Sequence, residues 1–343
     1  MNKSMKFINN KVFIIAELSA NHGGDINIFK ETIKAAKDAG ADAVKLQTYT
    51  PDTLTIDCNN SYFKLNSGTI WDGSSLYDLY KNAFTPWEWH KTLMEYANKL
   101  GILFFSTPYD NSAVDFLENI DVPLYKIASF EIRDINFVEY VASKHKPIII
   151  STGIASLNDI NDSIVACRKV GNNQIILLKC TSSYPANVED SNLITIRNMK
   201  ETFNCEVGLS DHTLSIASPI VAVSMGAKVI EKHFILNKSI GSPDAAFSIE
   251  PKDFKIMVQS IRDAEKCIGK IDYSLNEKKQ INGLIGRSLF VVKDMIKGEN
   301  FTKENVRSIR PGYGLSPKYL NYVLTRTALT DIKRGTPLSE DLI

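Results

Sequence analysis

Short apolar runs alternate with longer amphipathic ones along most of the chain. Eight of the short runs have strand length: VFIIA, AVKLQ, ILFFS, LYKIAS, PIIIST, IILLKC, EVGLS and KVIEKH. Most are separated by a helical pattern. In TPWEWHKTLMEYANKLG, Thr85 is expected as the cap, Pro86 suits the first turn, Glu88 completes a capping box and Gly101 suits the end. NIFKETIKAAKDAG is a second such pattern, ending at Gly40. The short runs are continuous rather than alternating, as strands covered on both faces are. Eight strand–helix units over about 265 residues predict an α/β fold, a (β/α)8 TIM barrel. A doubly wound open sheet is the alternative, but about six strands is its usual count and no GxGxxG follows the first run. Two segments echo each other, GADAVKLQ (Gly40 to Gln47) and GAKVIEKH (Gly226 to His233). In each, a helix-ending glycine precedes a strand whose last residues are polar.

After Lys270 the pattern changes. NEKKQINGLIGR reads as a linker, and KDMIKGENFTKENV and TDIKRGTPLSEDLI form a weak internal repeat. Each copy has an Asp, a basic–Gly turn and a Ser or Thr before acidic residues. The expected organisation is a TIM-barrel catalytic domain over 1–270, a linker over 271–285 and a small β-rich domain over 286–343. A module that small is marginal alone and is expected to dock on something.

Composition narrows the partners. The chain has 343 residues, a net charge of +1, 44% hydrophobic and 23% charged residues, the mixture of an ordinary soluble globular protein. Near-neutrality argues against a broad nucleic-acid or membrane surface, so any anion specificity is local. No signal-peptide core or membrane-length apolar stretch occurs, and a cytoplasmic location is expected. The five cysteines (Cys58, Cys167, Cys180, Cys205, Cys267) are scattered without a CxxC, which suits free thiols.

Candidate chemistry lies at the ends of the eight runs, where a barrel keeps its active site. They carry Glu17; Lys45 and Gln47; Ser106 and Thr107; Lys126 and Ser129; Ser151 and Thr152; Lys179 and Thr181; Ser210, Asp211 and His212; and Glu231, Lys232 and His233. Strand ends are often polar because loops begin there, and Ser151 or Thr152 alone reads equally well as a helix cap. The collective pattern is harder to explain so. Lys45, Lys126 and Lys179 each follow an apolar run, and converging on one pocket they would bind a dense anion such as a phosphate with a carboxylate. His212 and His233 end consecutive strands about 4.8 Å apart. Two imidazoles there can share a divalent cation with positions left for water and substrate oxygens. His22, in NHGG, reads as turn chemistry, and His90 and His145 as structural or surface groups. WEWH reads as a packing face, and the loop FKLNSGTIWDG as a lid or specificity element. Alternation leaves open which of Glu231 and Lys232 faces the site.

On these residues the chain resembles the nonulosonic (sialic-type) acid synthase family. IIAELSANHGG, VKLQTYTPD, YKIASFE, CTSSYP, GLSDHT and VIEKHF stand in that family's order, and the part from SIRPGYGLSP onward resembles its antifreeze-like (SAF) domain. Within the family, IAELSANH, KLQTYTPD, LYDLYKNAFTPWEWH and KIASFE most resemble pseudaminic acid synthases. N-acetylneuraminate synthases more often have Gly where Phe130 stands and Asn where Ser182 stands.

The resemblance implies a metal-dependent condensation of phosphoenolpyruvate with an open-chain acylamino sugar, releasing phosphate. For a pseudaminic acid synthase the sugar is 2,4-diacetamido-2,4,6-trideoxy-L-altrose. N-acetylneuraminate or legionaminate synthesis is the alternative within the class. By motif position, His212 and His233 would bind Mn2+ (or Mg2+ or Co2+). Lys45, Thr107, Lys126, Ser129, Ser151, Ser182 and Ser210 would hold phosphoenolpyruvate. Gln47, Tyr184 and Asp244 would contact the sugar, as would Glu17. Glu131 would be the base for the attacking water, with Glu17 and His233 also at the chemistry. Arg310 would reach a partner's barrel in a homodimer whose C-terminal domains close each other's active sites. Phe130 is expected to offer an apolar wall to the sugar's methyl group. The rival of another class is a Schiff-base aldolase or lyase, which needs one lysine of lowered pKa and no metal; a non-catalytic carbohydrate- or anion-binding protein would not need Glu131.

Overall fold

The computed structural model describes residues 5, 7, 8, 11–65 and 71–343. Eight parallel strands close into a barrel: β1 Phe13–Glu17, β2 Ala43–Thr48, β3 Leu103–Pro108, β4 Tyr125–Ile127, β5 Ile148–Ser151, β6 Ile175–Cys180, β7 Glu206–Asp211 and β8 Val229–His233. The sheet closes where β1 pairs with β8, Glu17 lying opposite His233. Each strand falls on one of the eight apolar runs, so the expected TIM barrel is the fold.

Strand alternation sorts every side chain. Phe13, Ile15, Ala43, Phe105, Leu124, Ile149, Ile176, Leu178 and Val229 form one apolar cluster, the plug inside the barrel. Their neighbours in sequence, among them Ile14, Val44, Phe104, Tyr125, Ile150, Leu177, Val207 and Ile230, join the larger cluster that packs against the helices. The inward positions one step beyond the plug are Glu17, Lys45, Thr107, Lys126, Ser151, Cys180, Ser210 and Glu231. A polar layer therefore sits directly on an apolar one, at the C-terminal end of the strands.

The helices follow local signals. Ile26–Asp38 starts on Asp25, whose side chain accepts from Asn27 N. Leu157–Lys169 starts on a Ser156–Asp159 capping box. The echoing glycines Gly40 and Gly226 have φ of +97° and +100°, a region open to glycine. They turn the chain from helix into β2 and β8. One expectation fails: the helix Trp87–Leu100 begins a residue late, with Pro86 as N-cap and no side-chain cap bond. That shift moves Glu88 off the capping-box position and leaves Thr85 Oγ1 buried without a partner. Gly101 ends this helix in the left-handed conformation, as expected. The loop expected over 63–73 lies partly outside the described residues, at 66–70.

The chain divides into two compact units, Met1–Gly269 and Lys270–Ile343. The stretch read as a linker carries a short helix, Glu277–Gly283, capped by Asn276. In the second unit β9 Ser288–Val291 pairs antiparallel with β10 Val306–Ile309. The weak sequence repeat becomes reciprocal pairing: Met295 and Ile332 exchange both backbone hydrogen bonds, each about 2.8–2.9 Å. Asp294 accepts from Arg334 N at 2.7 Å, and its counterpart Asp331 accepts from Lys297 N at 2.8 Å. Each aspartate thus satisfies the turn of the other copy, which explains why the repeat has that residue there. Among the described residues no helix is long and apolar enough to cross a membrane.

Candidate active site

The inward polar layer forms the floor of a cavity of about 510 Å³, within the usual range for small-molecule sites. Glu17, Lys45, Gln47, Lys126, Ser151, Ser210, Glu231 and His233 reach it from the strands, and Ser129, Phe130, Glu131, Ser182, Tyr184, His212 and Asp244 from the loops that follow. Most residues singled out in the sequence therefore meet at one place.

The floor is an alternation of charges. Lys45 is paired with Glu17, donates to Thr107 Oγ1 at 2.9 Å and lies 3.8 Å from Glu231 Oε1. Lys126 donates to Ile127 O at 3.0 Å, and its nearest anion is Glu231 Oε1 at 3.9 Å. Ser210 Oγ donates to that same oxygen at 3.2 Å. Burial works against each charge. It pulls Lys126 below the ordinary ammonium range, with Lys45 adding to the fall. It also raises Glu17 despite Lys45. Burial would raise Glu231 too, but Lys126 and Lys45 outweigh it and hold that carboxylate ionised.

Beside the lysines is a cradle of hydroxyls. Ser129 Oγ accepts from Ile154 N and from Ser182 Oγ, both at 3.0 Å. With both lone pairs engaged, its own proton is left to donate. Ser151 Oγ is buried without a partner. Gly153 makes room for the cradle, since a Cβ there would fall 2.1 Å from Ser182 Oγ and 2.7 Å from Ser129 Oγ. Donors without acceptors next to two ammonium groups suit a multiply charged oxyanion.

The imidazoles of His212 and His233 stand with ring centroids 5.4 Å apart. His212 Nδ1 lies 2.8 Å from Thr181 O. A carbonyl can only accept, so Nδ1 carries a proton and the neutral ring keeps the Nε2 lone pair; burial would lower this imidazole, but Cys180 outweighs it and raises it. His233 Nδ1 is buried without a hydrogen-bond partner, 3.8 Å from Asp244 Oδ2. Burial and then His212 push His233 well below the ordinary imidazole range, so it is neutral. Among the described residues no group of three or more His, Cys, Asp or Glu converges to hold an ion. Two imidazole nitrogens beside an orphaned Nδ1 and a carboxylate nevertheless fit a cation that keeps positions open for substrate oxygens.

One wall is aromatic. The Tyr184 ring is 4.3 Å from that of His212 and 5.1 Å from that of Phe247, which is 4.8 Å from His233. Tyr49, Tyr80, Leu54 and Leu79 line the cavity as well, with Phe130 exposed at its mouth. Glu131 is raised to about 7 by burial, which Lys126 only partly offsets, a value suited to proton transfer near neutrality.

The expectations for Lys179, Ser106, Thr152 and Thr107 need correction. Lys179 does not join the other lysines: Leu178 belongs to the inner plug, so Lys179 faces outward and donates to Cys180 O at 2.8 Å. The inward residue there is Cys180. Ser106 and Thr152 are likewise outward, bonded to Thr48 Oγ1 at 2.6 Å and Leu178 O at 3.0 Å. Thr107 does not border the cavity but bonds Lys45 there. Arg310 is exposed in the second unit. His22 Nδ1 accepts from Gly24 N at 3.0 Å, a turn role, and His90 bonds Thr48 Oγ1 at 2.9 Å, a structural one. Sequence reading missed Gly153, Phe247 and Cys180. No sequence signal pointed to Cys180, because β6 is apolar on both faces and its parity appears only from the packing of Leu178 in the plug.

The NeuB family pattern matches residues 32–273, and the SAF domain pattern matches residues 286–343. The pseudaminic acid synthase of Campylobacter jejuni subsp. jejuni serotype O:2 is 48% identical over 330 residues, covering 96% of each chain. The pseudaminic acid synthase of Helicobacter pylori is 46% identical over 329 residues, again covering 96% of each chain. Among solved structures, the N-acetylneuraminic acid (sialic acid) synthetase of Leptospira borgpetersenii serovar Hardjo-bovis superposes with a TM-score of 0.70 at 33% identity, covering 80% of this chain and 90% of that one.

Proposed function

The chain belongs to the NeuB family, and from that premise we propose that it is a pseudaminic acid synthase, condensing phosphoenolpyruvate with 2,4-diacetamido-2,4,6-trideoxy-L-altrose to give pseudaminic acid and phosphate. The observation that carries this reading is the incompletely paired layer of Lys126, Ser129 and Ser151, with donors to offer beside Lys45, two imidazoles and an aromatic wall. The lysines and the hydroxyls of Ser129, Ser151, Ser182 and Ser210 bind the phosphate and carboxylate of phosphoenolpyruvate, with Thr107 orienting Lys45. His212 and His233 hold a divalent cation, Mn2+ by our reading, with Mg2+ and Co2+ as alternatives. When bound, the ion supplies Lewis acidity at the sugar aldehyde.

The enol C3 attacks the aldehyde carbon, which forms the new C–C bond and leaves C2 electron-poor. Glu131 takes a proton from the water that adds to C2. The tetrahedral centre then collapses to the ketone as the C2–O bond to phosphate breaks, its hydroxyl proton leaving with the phosphate. Glu17, held above its ordinary range by burial, donates a proton to the aldehyde oxygen as that becomes a hydroxyl, and the proton taken up by Glu131 restores it through solvent before the next turnover. Gln47, Tyr184 and Asp244 orient the sugar, and the apolar wall with Phe130 receives its methyl. The SAF unit closes the partner's cavity in a homodimer and contributes Arg310, whose planar fork suits an acetamido carbonyl. The reaction takes place in the cytoplasm.

The test is phosphate release from phosphoenolpyruvate with each of the diacetamido trideoxy sugar, N-acetylmannosamine and the legionaminate precursor, with and without Mn2+. Release with the first sugar, dependent on metal, is expected. Preference for another sugar would reassign the substrate. Metal-independent turnover with borohydride trapping of a lysine would replace the reading by Schiff-base chemistry. Activity lost on dilution to monomer is expected of a site built from two chains; a fully active monomer removes the homodimer part.

A further inference from the structure

The buried pair Lys232–Asp211 takes no part in the reaction above and lies on the far side of the sheet from the cavity. We propose that it is a positioning device for the two imidazoles, tying the loop that carries His212 to the strand that carries His233. This rests on the reading of those histidines as a cation site.

Lys232 and Asp211 are opposite each other in the β7–β8 pairing and are 1% and 3% exposed. Lys232 Nζ donates to Asp211 Oδ2 at 2.6 Å, Thr213 O at 2.5 Å and Ser215 O at 3.1 Å. Asp211 Oδ1 accepts from Thr213 N at 3.0 Å. All three ammonium hydrogens are therefore used, two of them on carbonyls of the loop that leads from β7 to the next helix. His212 sits inside that closed ring, between Asp211 and Thr213, and Thr181 O fixes its Nδ1 from the β6 side. His233 follows Lys232 directly, with its carbonyl bonded by Ile249 N at 3.0 Å. Movement of the loop relative to β8 changes the separation of the two rings. An ion pair in such a place is weak support for stability, because apolar side chains of similar volume fill it as well. Apolar side chains cannot hold two carbonyls and an amide of a loop in register.

The test separates folding from cation affinity. Mn2+ binding to the metal-free full chain is read from the EPR signal of free Mn2+, beside thermal unfolding without metal. The proteins are the parent, the double variant Asp211→Leu with Lys232→Met, and His212→Ala. The parent should bind and His212→Ala should not. The double variant should unfold within a few degrees of the parent yet bind Mn2+ about 10- to 100-fold more weakly, the range seen when groups behind metal ligands are removed. Parent-like affinity in the folded double variant overturns the proposal. Should that variant fail to fold, Asp211→Asn decides, since it keeps the volume and the bond from Thr213 N. A several-fold weaker affinity, measured well below that variant's own unfolding temperature, supports the positioning role, and parent-like affinity overturns it. A parent that binds no Mn2+ removes the cation reading itself, a result distinct from equal binding by parent and variant.

Discussion

Lys126 and Lys232 are the same residue type, 2% and 1% exposed, in one barrel, on opposite faces of its sheet. Burial pulls both below the ordinary ammonium range. They differ in what surrounds the charge. Lys232 has a carboxylate and two carbonyls, one acceptor for each hydrogen. Lys126 donates to a single carbonyl, with its nearest carboxylate at 3.9 Å and a cavity beyond. A buried donor left unmade is costly to a folded protein. A chain that keeps one at the mouth of a barrel is keeping it for an anion that comes and goes. Saturation, more than burial, distinguishes the structural ammonium from the functional one.

The sharpest way to break this contrast is to remove each charge in turn. Lys126→Met should lower kcat/KM for phosphoenolpyruvate by about 10²- to 10³-fold, on the ~2–5 kcal/mol scale of losing one member of a buried charge contact. Its unfolding temperature should fall by only a few degrees, because Lys126 makes one carbonyl bond and Lys45 remains beside Glu231. Lys232→Met should do the reverse: breaking a saturated pair costs ~3–5 kcal/mol, so unfolding should drop by about 10 °C with phosphoenolpyruvate affinity little changed. Steady-state kinetics and calorimetry on both variants check this. Equal behaviour of the two would dissolve the distinction.

Glu131 extends the comparison to the carboxylates. Glu131→Gln should lower turnover by about 10²- to 10⁴-fold. The parent's rate should rise with pH through about 7, the value to which burial raises this carboxyl, and the variant should lose that limb. The folded-state value lies above the unfolded one, so the group's contribution to stability is complete below the unfolded value of 4.5 and lost as pH rises through about 7. Unfolding measured across that window should fall in the parent relative to the Gln variant.

How far these groups were legible in the sequence depended on the face they occupy. The eight strands were, because continuous apolar runs between helices admit few other folds. The inward layer was nearly so: Glu17, Lys45, Lys126, Ser151, Ser210 and His233 stand at strand ends where they were expected, and all line the cavity. Lys179 misled because an apolar run buried on both faces carries no parity signal; only the pairing of Leu178 with the plug reveals which way β6 faces. The roles of Glu231 and Lys232 were undecidable for the same reason, and Val229 in the plug resolves them. Gly153 was invisible, since the need for a missing side chain appears only when Ser129 and Ser182 are seen across from it.

That glycine gives a smaller test. Gly153→Ala should push the two hydroxyls apart, raising KM for phosphoenolpyruvate by about tenfold, within the ~0.5–3 kcal/mol of ordinary point changes, with kcat less affected; an unchanged KM would mean the cradle does not touch the anion. The smallest expected effect is at the mouth. Phe130→Gly should shift the ratio of turnover toward N-acetylmannosamine by about threefold, below the ~10-fold of a fully enclosed methyl contact. Competition between the two sugars reads it, and an unchanged ratio ends that role for Phe130.

The most direct measurement is a crystal structure of the protein with phosphoenolpyruvate and Mn2+ bound. The account predicts oxygens of the ligand within hydrogen-bond distance of Lys126 Nζ and of the Ser129 and Ser151 hydroxyls, with Lys232 still on its three protein acceptors. Phosphoenolpyruvate seated elsewhere, with Lys126 untouched and its cavity holding only solvent, would contradict it.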